Sequence, residues 1–155
     1  MRNIPLLILR NKVYIALINA CLYCRLMGVY ANDGKWHQIC ATWRNSDGQW
    51  KSYEDGQLAK TGTGLKTGYT IQADGSLVLG QEQDSFGGGF DASQSFKGML
   101  TNVNVWSYVL PEPSIMEMSK CCRTGEGNVY MWSDFIHAIK GNTRLVIPAS
   151  CPCTL

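Results

Sequence analysis

The sequence predicts an all-β domain of antiparallel strands with one short helix, and three observations carry that expectation. Four Asp-Gly steps punctuate the chain, at Asp33-Gly34, Asp47-Gly48, Asp55-Gly56 and Asp74-Gly75. Asp-Gly supplies the positive φ values that tight hairpins need. Between these steps apolar and polar residues alternate, the period-two signature of a strand covered on one face. Sixteen glycines, five tryptophans and seven tyrosines suit short strands joined by many turns.

Composition bounds what such a domain does. At 155 residues one domain is expected, able to bury about 70% of the surface its unfolded chain exposes. A net charge of +2 gives no basic field, so nucleic acid is excluded as a partner class. Seven cysteines without a metal-ligand spacing point to an oxidising compartment and disulfides, leaving at least one cysteine without an intrachain partner.

Residues 1–31 differ from the rest and are read as a separate, atypical N-terminal segment preceding a domain over 32–155. Leu6-Leu7-Ile8-Leu9 and Val13-Tyr14-Ile15-Ala16-Leu17 read as two strands, or as one bent at Asn11. The other reading is a signal-like leader, with basic residues ahead of an apolar centre and a small residue at Ala20. The apolar run Val13 to Cys24 falls short of the roughly 20 residues that cross a bilayer, so no membrane-spanning segment is expected. Cys21 and Cys24 form a C-x-x-C, but no second pair completes a zinc site and no βαβ pattern supports a redox motif.

From Asn32 the alternation is regular. Ile39, Ala41 and Trp43 alternate with Gln38, Cys40 and Thr42, and Gln49 to Glu54 follows after the next turn, giving an antiparallel meander. The tryptophans read as core, and His37 as a strand residue, since no carboxylate is spaced to make it a catalyst. Lys60 to Gly68 is a Thr- and Gly-rich loop without the strand-to-helix step of a phosphate cradle. Ile71 to Leu79 returns to strand through Asp74-Gly75. Phe96 to Trp106 alternates again. Pro111 to Lys120 reads as the one helix, with Ile115, Met116 and Met118 supplying its inner face.

The stretch Leu79 to Gln94 (LGQEQDSFGGGFDASQ) holds the candidate chemistry. It carries three carboxylates (Glu82, Asp84, Asp91) and three side-chain amides (Gln81, Gln83, Gln94) around a run of glycines. Calcium asks for about six to eight hard oxygen donors on a pliable backbone, and Gly87, Gly88 and Gly89 let the chain fold back on itself. The alternative on composition is a solvated turn between strands.

The string LGQEQDSFGGGFDASQSF resembles the calcium-binding signature of the pentraxins, and DGKWHQICATW with SDGQWKSYEDGQL resembles the hairpin of the same family and of laminin-G modules. The resemblance runs from Asn32 to about Trp132, including a strand at Phe96–Trp106, a helix at Pro111–Lys120 standing opposite the calcium loop, and a late strand at Gly127–Trp132. It implies an antiparallel two-sheet jelly-roll sandwich of the concanavalin and laminin-G kind. It also implies calcium ligands at Glu82, Gln83 (through its main-chain carbonyl), Asp84, Asp91 and Gln94. Asp91 stands where several members have glutamate. The family's second ion needs an Asp-Asn pair from the first part of the domain, which is not recognisable here, so a shortened domain is expected. By position, Cys121 or Cys122 would bond Cys151 or Cys153, and Cys40 would meet Cys21 or Cys24 or stay free.

The function implied is calcium-dependent recognition outside the cell, secreted or in a receptor ectodomain. Phosphocholine-like, carbohydrate or protein ligands would bind through the ion, and subunits would assemble into a ring. Two other classes compete. A metal-independent assembly module would use the same sandwich. A jelly-roll glycosidase would use alternating carboxylates; Glu82 and Asp84 do share a strand face, but Phe86 and Gly87 occupy the place of a third acid. No catalytic residue and no enzyme activity are therefore assigned.

Overall fold

The computed structural model describes residues 4–9, 12–15, 24–25, 29, 33–71, 75–81, 83–120 and 125–146. Among the described residues seven strands form two sheets: β1 Ile4–Leu9, β2 Lys12–Ile15, β3 Cys24–Arg25, β4 Ile39–Arg44, β5 Gln49–Glu54, β6 Gln57–Gly62 and β7 Leu77–Val78. One sheet runs β3-β2-β1-β7 and the other β4-β5-β6. The first two apolar runs of the N-terminal segment form separate strands over their described residues, as one reading held: β1 pairs antiparallel with β2, Leu9 opposite Lys12. One pairing departs from the antiparallel expectation, because β1 and β7 run parallel, Ile4 opposite Leu77.

The meander follows from its turns. Asp55 and Gly56 take φ of 50° and 77°, the twist a two-residue hairpin requires, and they join Glu54 to Gln57 in register. The β4–β5 turn is longer, since Arg44 pairs with Gln49 across residues 45–48. There Asp47 accepts from Gln49 N–H at 3.0 Å and from Arg44 Nε and Nη2 at 3.0 and 2.6 Å. The Arg44 hydrogen bonds hold the Asp47 carboxyl down at about 2. The loop after β6 closes onto this turn, where Leu65 N–H reaches Gly48 C=O at 3.0 Å and Trp43 Nε1 reaches Leu65 C=O at 2.8 Å.

Val29, 2% exposed, packs against Ile39, Ala41 and Trp50, which places these strand residues in the core. Cys40 is a half-buried free thiol, and burial pushes its pKa up to about 11. The other six cysteines have no described side chain, so the expected pairings of Cys121, Cys122, Cys151 and Cys153 lie outside the described residues.

Helix α1 spans Glu112–Lys120, as the Pro111 start and apolar spacing anticipated. Ile115 is fully buried, but Met116 is 45% exposed, so Met116 does not belong to the inner face. The helix docks on β5 through Glu112, which accepts from Lys51 Nζ and, at 3.3 Å, from the Tyr53 hydroxyl. Burial, then the Glu112 charge, pushes the Tyr53 phenol up to about 12.

Two expectations change. Phe96–Trp106 is not a laddered strand: Asn102 takes φ 52°, and the pairing recorded is a single bridge, Val105 to Tyr130. The segment after Tyr130 does not continue as strand but turns into a second helix, α2 Trp132–Ile136. Asp134 marks its start by accepting the Met131 N–H at 2.9 Å. Among the described residues no helix is long and apolar enough to cross a membrane.

Candidate functional site

Strand β7 delivers the chain to the candidate loop, and the loop's ends are tied together. Phe96 N–H donates to Gly80 C=O at 2.8 Å. Within it Ser85 and Gly88 exchange both backbone bonds, at 3.2 and 3.1 Å, with Phe86-Gly87 at the tip. Gly87 there takes φ 64°. The chain then returns directly over Asp84. A Cβ on Gly89 would stand 2.8 Å from Asp84 Cβ and 3.0 Å from Ser85 N, and Gly89 itself has φ 71°. Only glycine fits both the conformation and the space.

Three of the five predicted ligands, Gln83, Asp84 and Asp91, can be placed against this fold-back with their side chains. Asp84 lies against the returning segment at Gly89 with its side chain exposed. Asp91, two residues beyond Gly89, caps a short 3-10 helix (Ala92–Gln94) by accepting the Ser93 N–H at 2.8 Å. That backbone bond lowers the Asp91 pKa and keeps the group ionised. Gln94 closes the 3-10 turn; its side chain, and all of Glu82, lie outside the described residues. Gln83 is 4% exposed. Its amide is consumed internally, with Nε2 donating to Ser76 C=O at 3.2 Å and Oε1 accepting from Gly87 N–H at 2.9 Å.

Two of the predicted donors stand open to solvent. Asp84 and Asp91 are both exposed, and among the described residues neither forms an ion pair. In the same stretch of sequence Gln81 Oε1 is buried with no hydrogen-bond partner among the described residues, a polar oxygen of the kind that an ion or water would satisfy. Among the described residues no three His, Cys, Asp or Glu side chains converge as a metal group. With Glu82 outside that set, Asp84 and Asp91 are the loop's two described carboxylates.

A second cluster was hidden from sequence reasoning. His37 was expected to be a strand residue with no carboxylate suited to it. It stands just before β4, between Asp33 (Nε2 to Oδ1, 2.9 Å) and Asp55 (Nδ1 to Oδ2, 2.8 Å), with Glu54 3.8 Å away. Asp33 is a readable signal at four residues' distance, but Asp55 arrives only because the meander folds. Ionised carboxylate oxygens accept only, so it is the protonated ring, with both nitrogens donating, that satisfies both partners at once. The bond to Asp33, then that to Asp55, raises the His37 pKa, and Asp33 is held down at about 2. The pairing joins the segment ahead of β4 to the β5–β6 turn.

Comparison with known proteins places the chain in a family. A family model described as the Pentaxin family matches residues 2–147. Human neuronal pentraxin-2 is 42% identical over 106 residues, 68% of this chain and 25% of that protein. A rat protein with Sushi, von Willebrand factor type A, EGF and pentraxin domains is 40% identical over 127 residues, 78% of this chain and 4% of that protein. The chain thus spans a quarter or less of these relatives' length. Among solved structures, a heptameric SAP-like pentraxin from Limulus polyphemus superposes with a TM-score of 0.65 at 28% identity. That match covers 79% of this chain and 58% of the other. The all-β fold is therefore that of a known family, and this chain belongs to the pentaxin family.

Proposed function

We propose that the chain is a calcium-dependent recognition module acting outside the cell, for phosphate- or carbohydrate-bearing ligands or partner proteins. The observation that carries this reading is the fold-back at Gly89, which brings the segment leading to Asp91 against Asp84, whose side chain is exposed and, among the described residues, forms no ion pair. Glu82, the Gln83 main-chain carbonyl, Asp84, Asp91 and Gln94 would hold the cation. A bound calcium ion supplies open coordination positions to a phosphate or sugar oxygen. The chain's own residues keep the loop folded, keep Asp91 ionised and present the donors to solvent. The work is binding, with no bond made or broken. The family relatives named for neuronal and Sushi/EGF-containing proteins support an extracellular setting, and the heptameric neighbour supports assembly of identical subunits.

The test is retention on immobilised phosphocholine with calcium present, release by EGTA, and loss in Asp84→Asn and Asp91→Asn variants. Retention that survives both EGTA and the substitutions would replace this reading with the metal-independent assembly module.

A further inference from the structure

Gln83 enters the proposed site through its main-chain carbonyl, yet its side chain is the most enclosed polar group of the loop. A buried amide whose two ends are both satisfied is a brace, since removing it leaves two polar partners without their bond. The two partners sit on opposite sides of the loop. Ser76 immediately precedes β7, where the chain enters the loop. Gly87 lies at the tip, which among the described residues is otherwise closed by the Ser85–Gly88 backbone pair. Asp84 lies between them in sequence, next to Gln83 and within the arc that the amide spans.

We propose that the Gln83 side chain is a positioning residue: it braces the tip of the loop to the entry of β7, so that Asp84 is held in its cation-facing place before any ion arrives. This rests on the calcium reading of the loop and adds a division of labour within one residue, with the carbonyl for the ion and the amide for the scaffold. The benefit is pre-organisation. Ordering a glycine-rich tip costs more conformational entropy than ordering any other kind of chain, and a tip already ordered spares the ion that cost on binding.

The experiment uses the full chain, metal-free and calcium-loaded, with amide hydrogen exchange and calorimetric titration of calcium chloride. In the metal-free wild type the Gly87 amide is expected to exchange at least about tenfold more slowly than an unstructured peptide, as one buried hydrogen bond allows. Exchange at the peptide rate would overturn the brace without recourse to any variant. Gln83→Met keeps the volume and removes both bonds. It should speed exchange at Gly87 and Gly88, leave β4–β6 amides unchanged, and weaken calcium about tenfold, the loss expected of one to two hydrogen bonds. Gln83→Glu retains an oxygen facing Gly87 and should recover part of the Gly87 protection. A residue with a merely general structural role would instead raise exchange across the sheet. Unchanged calcium affinity in Gln83→Met overturns the positioning role and leaves the calcium reading standing. No calcium uptake by the wild type, with Gly87 still protected, overturns the calcium reading and with it the positioning role, and leaves the brace as architecture alone.

Discussion

Replacing Gly89 by alanine tests whether the fold-back is what makes the site. Gly89 has φ 71°, and an added Cβ would meet Asp84 Cβ at 2.8 Å, Ser85 N at 3.0 Å and Asp84 Cα at 3.2 Å. A non-glycine residue in the left-handed region costs about 1–2 kcal/mol. The overlap is with backbone atoms and with a Cβ fixed by the backbone, none of which can swing aside, and forced overpacking of this kind adds about 1–3 kcal/mol. Together they put about 2–5 kcal/mol on the returning segment, and even the lower figure weakens calcium about 30-fold if the ion needs Asp84 and Asp91 on the two sides of that contact. Gly80→Ala is the control. It has φ 85° with nothing within 4 Å of the added atom, so it carries the conformational cost alone, about fivefold to thirtyfold at most. Calcium titration reads the affinity, and hydrogen exchange over residues 84–90 against β4–β6 shows that the damage is local. If Gly89→Ala binds calcium within about twofold of wild type, or if Gly80→Ala is the more harmful, the close approach over Asp84 does not organise the site.

Two further outcomes follow from the scaffold. The His37 pairing gives stability a pH dependence of definite sign. His37 has a raised pKa, so its contribution is complete below imidazole's ordinary 6.5 and is lost as pH rises through the raised value. On the acid side Asp33 stays charged until pH nears 2. The groups facing the ring are Asp33, itself paired with Lys35 at 3.5 Å, together with Glu54 and Asp55. Thermal unfolding from pH 5 to pH 9 should show a stability advantage of wild type over His37→Gln that shrinks toward alkaline pH; an advantage that grows would contradict the assignment. Ile115 is fully buried under α1, so Ile115→Ala should cost about 2–5 kcal/mol in urea unfolding, and a loss below about 1 kcal/mol would mean that the helix is not anchored there.

What could be read from sequence was local. The β4–β6 meander depends on the turns at Asp47-Gly48 and Asp55-Gly56, each coded within a few residues. Helix α1 is announced by Pro111 and by Ile115, which its spacing turns inward. The Phe96–Trp106 segment alternates like a strand, but alternation specifies a covered face and not a partner. Only Val105 bridges, to Tyr130. Met116 is apolar and lies next to Ile115, yet one residue along a helix is about 100° of rotation, and that takes it to solvent.

The candidate site divides the same way. The glycines and acids of residues 82–91 show that the chain can turn and carry oxygen donors. That Gly89 is forced by contact with Asp84, and that the Gln83 amide reaches back to Ser76, are consequences of packing. So is the placing of Asp55 against His37, eighteen residues away in sequence. A pattern read along the chain finds donors and turns, whereas pairings across folded elements become visible only in three dimensions.

The central claim concerns an ion, and a calorimetric titration of calcium chloride into the metal-free chain tests it most directly. The account predicts saturable uptake that is abolished in Asp84→Asn with the fold intact by circular dichroism. A folded wild type that takes up no calcium, or an Asp84→Asn variant that binds it equally well, would contradict the account.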